Sequence, residues 1–257
     1  MPKRRKTADT GPGAATTEVY TEFARFYDTV LKHVDYDRWY RYIKSIMLLY
    51  VEHPNRLLEL GCGTGRFGAK FSRDRYVIFG MDRSLEMLRV SRMRAYRNFR
   101  VLCGDMRQLP LAGTFDFIFS VHDTMNYFLE YDDIRRVLRS VRRAMADEGV
   151  FMFDITTEHN INRHFDNTVM RHSVRGTEIE WRNYFDRDTR LVYSVLDFRD
   201  RRGVVRTEKH VQRIYETDEI LTLLEEEGFM TLDVFSDYSF EPVSTTTVMT
   251  NFVTRKK

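Results

Sequence analysis

Five short apolar segments limit the possible folds of this chain more than any other feature of its sequence. They are RLLEL (56–60), YVIFGM (76–81), RVLC (100–103), FDFIFSV (115–121) and VFMFDI (150–155). Stretches with helical periodicity lie between them, at 66–73, 84–94 and 132–145. Uninterrupted apolar runs are typical of strands buried on both faces. Their alternation with helices through short connections predicts an α/β fold with a doubly wound, mostly parallel sheet.

The segments on either side of this core have different patterns. Residues 19–50 predict two helices with a break near Asp35–Tyr36. From about residue 171, long segments alternate polar with apolar residues and are separated by turn signals, which indicates antiparallel hairpins. A helix at 217–229, with Gly228 at its end, and two strands near 230–237 and 245–255 complete a predicted seven-stranded sheet.

These patterns divide the chain into four parts. We predict a disordered basic tail at 1–18, and a core of N-terminal helices and α/β structure at 19–157. An antiparallel β insert at 158–215 is expected to cover a ligand pocket. The last helix and strands, 216–257, return to the core.

Composition excludes several classes of protein. Two cysteines, Cys62 and Cys103, are too few for a disulfide framework and indicate a reduced, cytoplasmic protein. No apolar run reaches the roughly 20 residues needed to cross a bilayer. The start MPKRRK has no hydrophobic segment after it, so it is not a secretory signal. The net charge of +3 gives no strong field toward nucleic acid.

The glycine-rich segment LLELGCGTGRFG (57–68) runs from a predicted strand into a predicted helix. Such a turn lets backbone N–H groups approach a ligand beside the positive end of a helix. Gly63, Gly65 and Gly68 satisfy the dinucleotide pattern G-x-G-x-x-G, and Asp82 follows the second strand, where an acid holds ribose hydroxyls. By itself the loop is therefore ambiguous between NAD and another nucleoside ligand.

Three further features argue against a dinucleotide. Glu59 precedes the first glycine, where its carboxylate would repel a pyrophosphate but attract the positive end of an amino acid. Gly104, Asp105 and Met106 close the third strand and can bracket an adenine, with the carboxylate accepting from its amino group. The chain also ends in an antiparallel hairpin added to the sheet.

Taken together, E-x-G-x-G-x-G, the acid after the second strand and GDM after the third resemble the class I S-adenosylmethionine (SAM)-dependent methyltransferases. The resemblance extends over residues 18–257 and is closest to the small-molecule branch, which includes sarcosine-type and amino-sugar N-methyltransferases. The residues that carry it are Phe26-Tyr27-Asp28 before the loop, GDMR (104–107), and Phe115–Ser120 followed by Asn126-Tyr127. It implies a Rossmann-like methyltransferase fold, SAM as cofactor and S-adenosylhomocysteine as product.

The resemblance also implies cofactor-binding residues. These are Tyr27, Glu59, Gly61, Cys62, Gly63, Gly65, Asp82, Arg83, Met87, Gly104, Asp105, Met106, Val121 and His122. In this assignment the glycine loop shapes the methionine pocket, and Asp82 accepts the ribose hydroxyls. Asp105 and Met106 flank the base, beside Arg83 or Met87. Tyr20 and Tyr27 are expected to close the pocket from the N-terminal helices.

Two segments supply candidate catalytic groups. His122 follows the fourth strand, at the edge where ligands bind in such sheets, and imidazole is suited to proton uptake at neutral pH. In the insert, the spacing of two puts Glu208 with His210, and Arg213 with Tyr215, on one face of a strand. We predict His122, His210 and Tyr215 as catalytic, and Tyr127, Glu208, His210 and Arg213 as substrate-binding.

The sequence therefore predicts a SAM-dependent methyltransferase acting on a small molecule, with N-methylation of an amine preferred and O-methylation next. An RNA or protein methyltransferase is one alternative, supported by the basic tail and the excess of arginine. A non-catalytic SAM-binding regulator is the other. No metal site is predicted, because the histidines of the insert lack ligand spacing. We expect a small-molecule substrate and neither a membrane nor a nucleic acid as partner. The protein is expected to be a monomer or a homodimer.

Overall fold

The computed structural model describes residues 15–94, 98–111 and 114–257, which form two sheets and the helices that cover them. In chain order the strands are β1 (Ala15–Thr17), β2 (Arg56–Leu60), β3 (Val77–Asp82), β4 (Phe99–Cys103), β5 (Phe115–Ser120), β6 (Met145–Thr156), β7 (Val169–Val174), β8 (Thr177–Asp186), β9 (Leu191–Arg199), β10 (Val205–Arg213), β11 (Phe229–Ser236) and β12 (Met249–Lys256). The helices are α1 (Tyr27–Val30), α2 (Tyr36–Tyr50), α3 (Arg66–Arg73), α4 (Leu85–Arg92), α5 (Tyr131–Ala144), α6 (Glu158–Asn160) and α7 (Thr217–Glu226), with short 3-10 and π turns between them.

The main sheet has seven strands in the order β11-β12-β6-β5-β2-β3-β4. Strands β6, β5, β2, β3 and β4 are parallel, and β12 runs antiparallel to both of its neighbours. This arrangement confirms the predicted mostly parallel, doubly wound sheet. Strand β2 lies between β3 and β5, so the order of the strands along the sheet reverses beside it. Ligands bind in the crevice at the carboxyl ends of the strands at such a point.

Helices cover both faces of the main sheet, as the buried side chains show. On one face α2 and α3 pack through residues such as Ile43, Ile46 and Phe71, which are fully buried. On the other face α5 and α7 pack through residues such as Val137 and Leu224. Burying each of these side chains contributes roughly 2 kcal/mol. This double cover explains why the central strands read as uninterrupted apolar runs.

The second sheet consists of strands from the predicted insert and one from the N-terminus. Its order is β1-β10-β9-β8-β7, and β7 to β10 are antiparallel, as the hairpin pattern predicts. Strand β1 is parallel to β10, with Thr17 opposite Glu208. The predicted disordered tail at 1–18 is therefore wrong for residues 15–17. The rest of that prediction up to residue 14 lies outside the described residues.

Local capping sets the helix boundaries. The side chain of Asp35 accepts from the backbone of Arg38 and begins α2 at the predicted break. Ser84 does the same for Met87 at the start of α4. Gly228, with φ of +76°, follows the end of α7. Within the described ranges, none of these helices combines the length and the apolar character needed to span a membrane.

Candidate functional site

A cavity of about 760 Å³ lies at the carboxyl ends of β2, β3, β4 and β5. This volume is in the range of sites for small molecules and cofactors. Of the residues predicted to bind a cofactor, every one except Gly65 lines it, and Tyr127 lines it as well. The lining also includes Tyr20, Tyr36, Arg66, Thr124, Asp133 and Lys209. The cavity thus joins the glycine loop to residues of the N-terminal segment and of β10.

The glycine loop follows β2 and uses the left-handed region of backbone space. Gly61, Gly63 and Gly65 have φ of +68°, +52° and +75°. A Cβ at Gly61 would lie 2.5 Å from Thr124 Cγ2, so this glycine permits close packing with the turn after β5. A Cβ at Gly63 would meet nothing within 4 Å, since it faces open cavity. The backbone at Gly63 is therefore free to approach a ligand.

Gly65 has a structural role instead. It is the N-cap of α3, and a Cβ there would lie 2.2 Å from Ser91 Oγ, in α4. It does not line the cavity, so its predicted contact with a cofactor has no support in this geometry.

Asp82 ends β3 and organises the loop beside it. Its carboxylate accepts from the backbone N–H groups of Gly63 and Ser84, each at 2.8 Å. Burial raises the pKa of Asp82, while these backbone donors oppose the shift. The side chain is therefore fixed beside Gly63 at the cavity wall.

Glu59 is almost fully buried in β2, beneath the glycine loop. Its Oε2 accepts from Gly68 N at 2.9 Å, so half of its carboxylate holds the first turn of α3. Burial raises the pKa of Glu59 to about 8. Only Oε1 remains to meet a cationic ligand group.

One side of the cavity contains Asp105, Met106 and Arg107. The Arg107 guanidinium binds the Asp105 carboxylate through Nε at 3.0 Å and binds Asp133 at 3.0 Å, and its hydrogen bond lowers the pKa of Asp105. Met106 is almost buried beneath them. Arg107 thus holds the acid as a carboxylate, the form that accepts from an amino group.

The N-terminal segment is held over the cavity by two carboxylates. Asp28, after Tyr27, binds Arg66 Nε at 2.8 Å and Thr64 Oγ1 at 2.9 Å, and it pairs with Arg94. Glu208, in β10, accepts from the backbone N–H groups of Tyr20 and Phe23, each at 3.0 Å, and of Glu22. These contacts explain how the segment before α2 is placed against the glycine loop and the insert.

Two tyrosine–histidine pairs lie at the cavity, of which Tyr27, His122 and Tyr127 line it and His210 lies behind Tyr127. Tyr27 OH lies 3.0 Å from His122 Nδ1, and burial lowers the pKa of His122, which favours the neutral imidazole. Tyr127 OH lies 2.9 Å from His210 Nδ1 and 2.7 Å from Tyr20 OH. His210 Nε2 lies 3.1 Å from Glu208 Oε2, and both residues are buried. The predicted alignment of Glu208 and His210 on one face of a strand is confirmed.

Arg213 and Tyr215 lie outside the cavity. Tyr215 is buried in the core, where its hydroxyl donates to the carbonyl of Phe128. Arg213 donates to the carbonyl of Leu129 and to Tyr131 OH. Both side chains fasten β10 and the segment after it to the connection before α5. Neither side chain lines the cavity, so this geometry gives no support to their predicted catalytic and substrate-binding roles.

The sequence analysis missed Asp154 and Tyr238. Asp154, near the end of β6, is fully buried and accepts from the backbone N–H groups of His122 and Asp123, each at 2.8 Å. Tyr238 also donates to Asp154 and stacks on Trp39, whose ring contacts His122. An acid near the carboxyl end of a buried strand was a visible signal for Asp154. Nothing in the sequence pointed to Tyr238, which lies in the turn between β11 and β12.

Comparison with known proteins agrees with this geometry. A methyltransferase-domain family model matches residues 57–149. A protein of Geobacillus sp. (strain WCH70), provisionally named a methyltransferase, is 24% identical over 92% of this chain and 99% of its own length. The dTDP-4-amino-2,3,4,6-tetradeoxy-D-glucose N,N-dimethyltransferase of Saccharopolyspora spinosa is 26% identical over 84% of this chain and 88% of its own length.

A solved structure extends the likeness to the whole fold. A SAM-dependent methyltransferase from Clostridium acetobutylicum ATCC 824 superposes with a TM-score of 0.79 at 25% identity, covering 92% of this chain and 98% of its own. The cavity lies where the shared glycine loop, Asp82 and Asp105 meet. The chain therefore contains a methyltransferase domain and shares its whole fold with a SAM-dependent methyltransferase.

Proposed function

We propose that this protein transfers the methyl group of SAM to the nitrogen of a small amine. The observation that carries the proposal is the partly buried Tyr20–Tyr127–His210–Glu208 network, whose two tyrosines line the same cavity as the glycine loop. The network gives the acceptor side of the cavity a route for the proton that an amine nitrogen loses when it is methylated.

We assign each part of the cofactor to the residues that line the corresponding part of the cavity. Asp82 would bind the ribose, Asp105 and Met106 the adenine, and Arg83 and Met87 the outer side of the base. Gly61, Cys62, Gly63 and the free oxygen of Glu59 would surround the methionine part. Val121, His122 and Tyr27 would lie near the methyl group. SAM supplies an electrophilic methyl group, so the protein has to orient the nucleophile and exclude water.

The hydrogen bonds of the network define a direction for proton transfer. Glu208 accepts three backbone N–H groups, which fits an ionised carboxylate, so His210 donates to it through Nε2. His210 Nδ1 then accepts from Tyr127 OH, and Tyr127 accepts from Tyr20 OH. The imidazole is therefore ready to take a proton while Glu208 stabilises the charge.

The reaction balances through this network. The N–C bond forms as the C–S bond breaks, and the positive charge moves from sulfur to nitrogen. The nitrogen gives one proton to Tyr127, whose own proton passes to His210 Nδ1, so that a lone pair is available for the attack. The neutral His122, bonded to Tyr27, is a second acceptor for the same proton. His210 and Tyr127 are the residues we assign to proton removal, with Glu208 as a positioning residue.

The relative from Saccharopolyspora spinosa gives this proposal a substrate class to test first. Its name describes dimethylation of an amino group on a nucleotide-linked sugar. The cavity volume of about 760 Å³ leaves room for an acceptor beside the cofactor. Amino sugars and their nucleotide conjugates are accordingly the first compounds in the screen.

A mass-spectrometric screen of amine, hydroxyl and carboxyl metabolites with SAM tests the function. We expect methylated products from amines, with stoichiometric S-adenosylhomocysteine. Products methylated only at oxygen would reject N-methylation and would assign the protein to O-methylation. Methylation of RNA or protein but of no metabolite would reject the small-molecule acceptor. Binding of SAM without turnover on any acceptor would favour a regulatory protein.

The network is tested with Tyr127→Phe and His210→Ala on an accepted amine. We expect both to reduce kcat at least tenfold, about 1.4 kcal/mol of barrier, while KM for the amine and the affinity for SAM change less than about threefold. Tyr184→Phe, on an exposed part of the second sheet, is the matched control and should change nothing. Unchanged kcat in both network variants would leave His122 as the only proton acceptor.

A further inference from the structure

The turn after β5 has an unusual backbone. His122 and Asp123 are consecutive residues with φ of +65° and +51°, and neither is glycine. Left-handed backbone costs such residues roughly 1–2 kcal/mol each. This strain persists only where the surrounding structure holds it, and it is concentrated at functional sites.

Buried groups fix this turn. The two oxygens of Asp154 each accept one backbone N–H, from His122 and from Asp123, at 2.8 Å. The N–H of Asn126 donates to the carbonyl of Asp123 at 3.1 Å. With these bonds the backbone polar groups of Asp123 have partners, so its side chain is not needed to complete the turn.

The carboxylate of Asp123 has one free oxygen. Oδ2 accepts from Gln212 Nε2 at 2.7 Å, whereas Oδ1 accepts from no donor in the described part of the chain. Within the same ranges no lysine or arginine pairs with Asp123, and the basic groups that act on it are the imidazoles of His122 and His210. This partly buried carboxylate therefore keeps one oxygen free for a cationic ligand.

The surroundings of Asp123 belong to the acceptor side of the site. Asp123 is not itself a lining residue of the cavity, but its two chain neighbours, His122 and Thr124, line it. After burial, its negative charge contributes to raising the pKa values of Tyr20, Tyr27 and Tyr127, so the carboxylate lies near all three. Tyrosine rings together with a carboxylate form a site that attracts an ammonium ion.

We propose that Asp123 is the anionic anchor that binds the protonated amino group of the acceptor and selects cationic amines over neutral molecules of the same shape. This inference rests on the proposed methylation of an amine at the same site. The free Oδ1 takes the ammonium, which gives one proton to the Tyr127–His210 pair so that the nitrogen has a lone pair for methyl transfer. Gln212 orients the carboxylate, and the tyrosines surround the remaining N–H and C–H groups. Asp154 and Tyr238 hold the turn that presents the carboxylate.

Binding of two shape-matched probes tests the anchor without requiring turnover. The probes are cyclohexylamine and cyclohexanol, titrated by calorimetry into the full chain saturated with S-adenosylhomocysteine. At about pH 8 the amine is an ammonium ion, because alkylamines have pKa values near that of lysine, about 10.4. We expect wild type to bind the amine at least tenfold more tightly than the alcohol, about 1.4 kcal/mol.

Asp123→Asn should abolish this preference and leave the affinity for the alcohol unchanged. Gln212→Lys is a second variant that keeps Asp123 but supplies a protein ammonium to its carboxylate, and it should abolish the preference as well. Asp147→Asn removes one exposed surface charge and should bind both probes like wild type. If only one of the two variants, Asp123→Asn or Gln212→Lys, folds, that variant alone is compared with wild type.

Equal binding of the two probes by wild type, or a preference that survives in Asp123→Asn, would overturn the anchor. A variant that loses affinity for SAM but not for S-adenosylhomocysteine would assign the carboxylate to the sulfonium and also reject our proposal. Amine selectivity without methyl transfer would reject the proposed function and keep the anchor. Methyl transfer to amines without the selectivity for cationic probes would keep the proposed function and reject the anchor.

Discussion

At the scale of single residues, neighbouring positions of the same motif have separate roles. Gly63 opens onto the cavity, whereas Gly65, two residues later, packs against Ser91. Glu59 divides its two oxygens between the first turn of α3 and the cavity side. A motif residue is therefore assigned by the atoms that it meets, and not by its letter alone.

Gly63→Ala and Gly65→Ala form a matched pair of variants. Both place a Cβ on left-handed backbone, which costs about 1–2 kcal/mol in each. Gly65→Ala adds a clash at 2.2 Å from Ser91 Oγ, so we expect the larger loss of Tm there. Gly63→Ala should keep more stability but lose more affinity for SAM, since its methyl group occupies the cavity. Thermal melts and calorimetry of both variants give the comparison, and the reverse order would contradict it.

The pH dependence of stability should carry a signature of Glu59. Its carboxyl has an ordinary pKa of 4.5 and one of about 8 in the folded protein, so the folded state binds more protons between these values. Stability from this group is complete below pH 4.5 and falls as the pH rises toward 8. Glu59→Gln keeps an acceptor for Gly68 and should lose less Tm over this interval than wild type. Parallel melting curves of the two proteins across these pH values would contradict the assignment.

At the scale of elements, the N-terminal segment belongs structurally to both sheets. Strand β1 pairs with β10, the next turn is held by Glu208, and α1 is fastened to the glycine loop through Asp28. The hydroxyl of Ser84, which caps α4, also donates to the carbonyl of Tyr20 at 2.9 Å. The segment thus connects the proposed cofactor site to the proposed acceptor site.

Two truncations separate the basic N-terminus from this segment. Deletion of residues 1–14 should leave SAM binding and methyl transfer unchanged and should remove any affinity for RNA, which is expected to be strongly salt-dependent. Deletion of residues 1–18 also removes β1 and should reduce turnover, because Tyr20 loses the strand that positions it. Residual RNA binding by the shorter deletion, measured by fluorescence anisotropy, would support a nucleic-acid substrate.

At the scale of the whole molecule, the cofactor and the stability of the fold are linked. A ligand that binds only the folded state, present at 100 times its Kd, stabilises a protein by about 2.7 kcal/mol. We expect SAM and S-adenosylhomocysteine to raise the Tm and NAD to leave it unchanged. Asp82→Ala should weaken SAM binding by about 1–3 kcal/mol, because two hydroxyls lose a charged acceptor. A thermal shift with NAD, or an undiminished shift with SAM in the variant, would contradict the assigned ligand geometry.

The cytoplasmic location and the monomeric or homodimeric state stay predictions.

The sequence by itself determined the parallel sheet, the order of its strands and helices, and the cofactor class. These follow from signals that are local in the chain: apolar runs, capping residues, and a strand–turn–helix motif whose glycines are required by backbone geometry. Tertiary structure alone decided which residues meet at the proposed acceptor side. Tyr20, Tyr127 and His210 are separated by 107 and 83 positions and meet only when β10 folds back against the N-terminal segment. The same folding takes Arg213 and Tyr215 away from the cavity and brings Asp154 beneath the turn at His122, because a strand's periodicity fixes its faces but not what covers them.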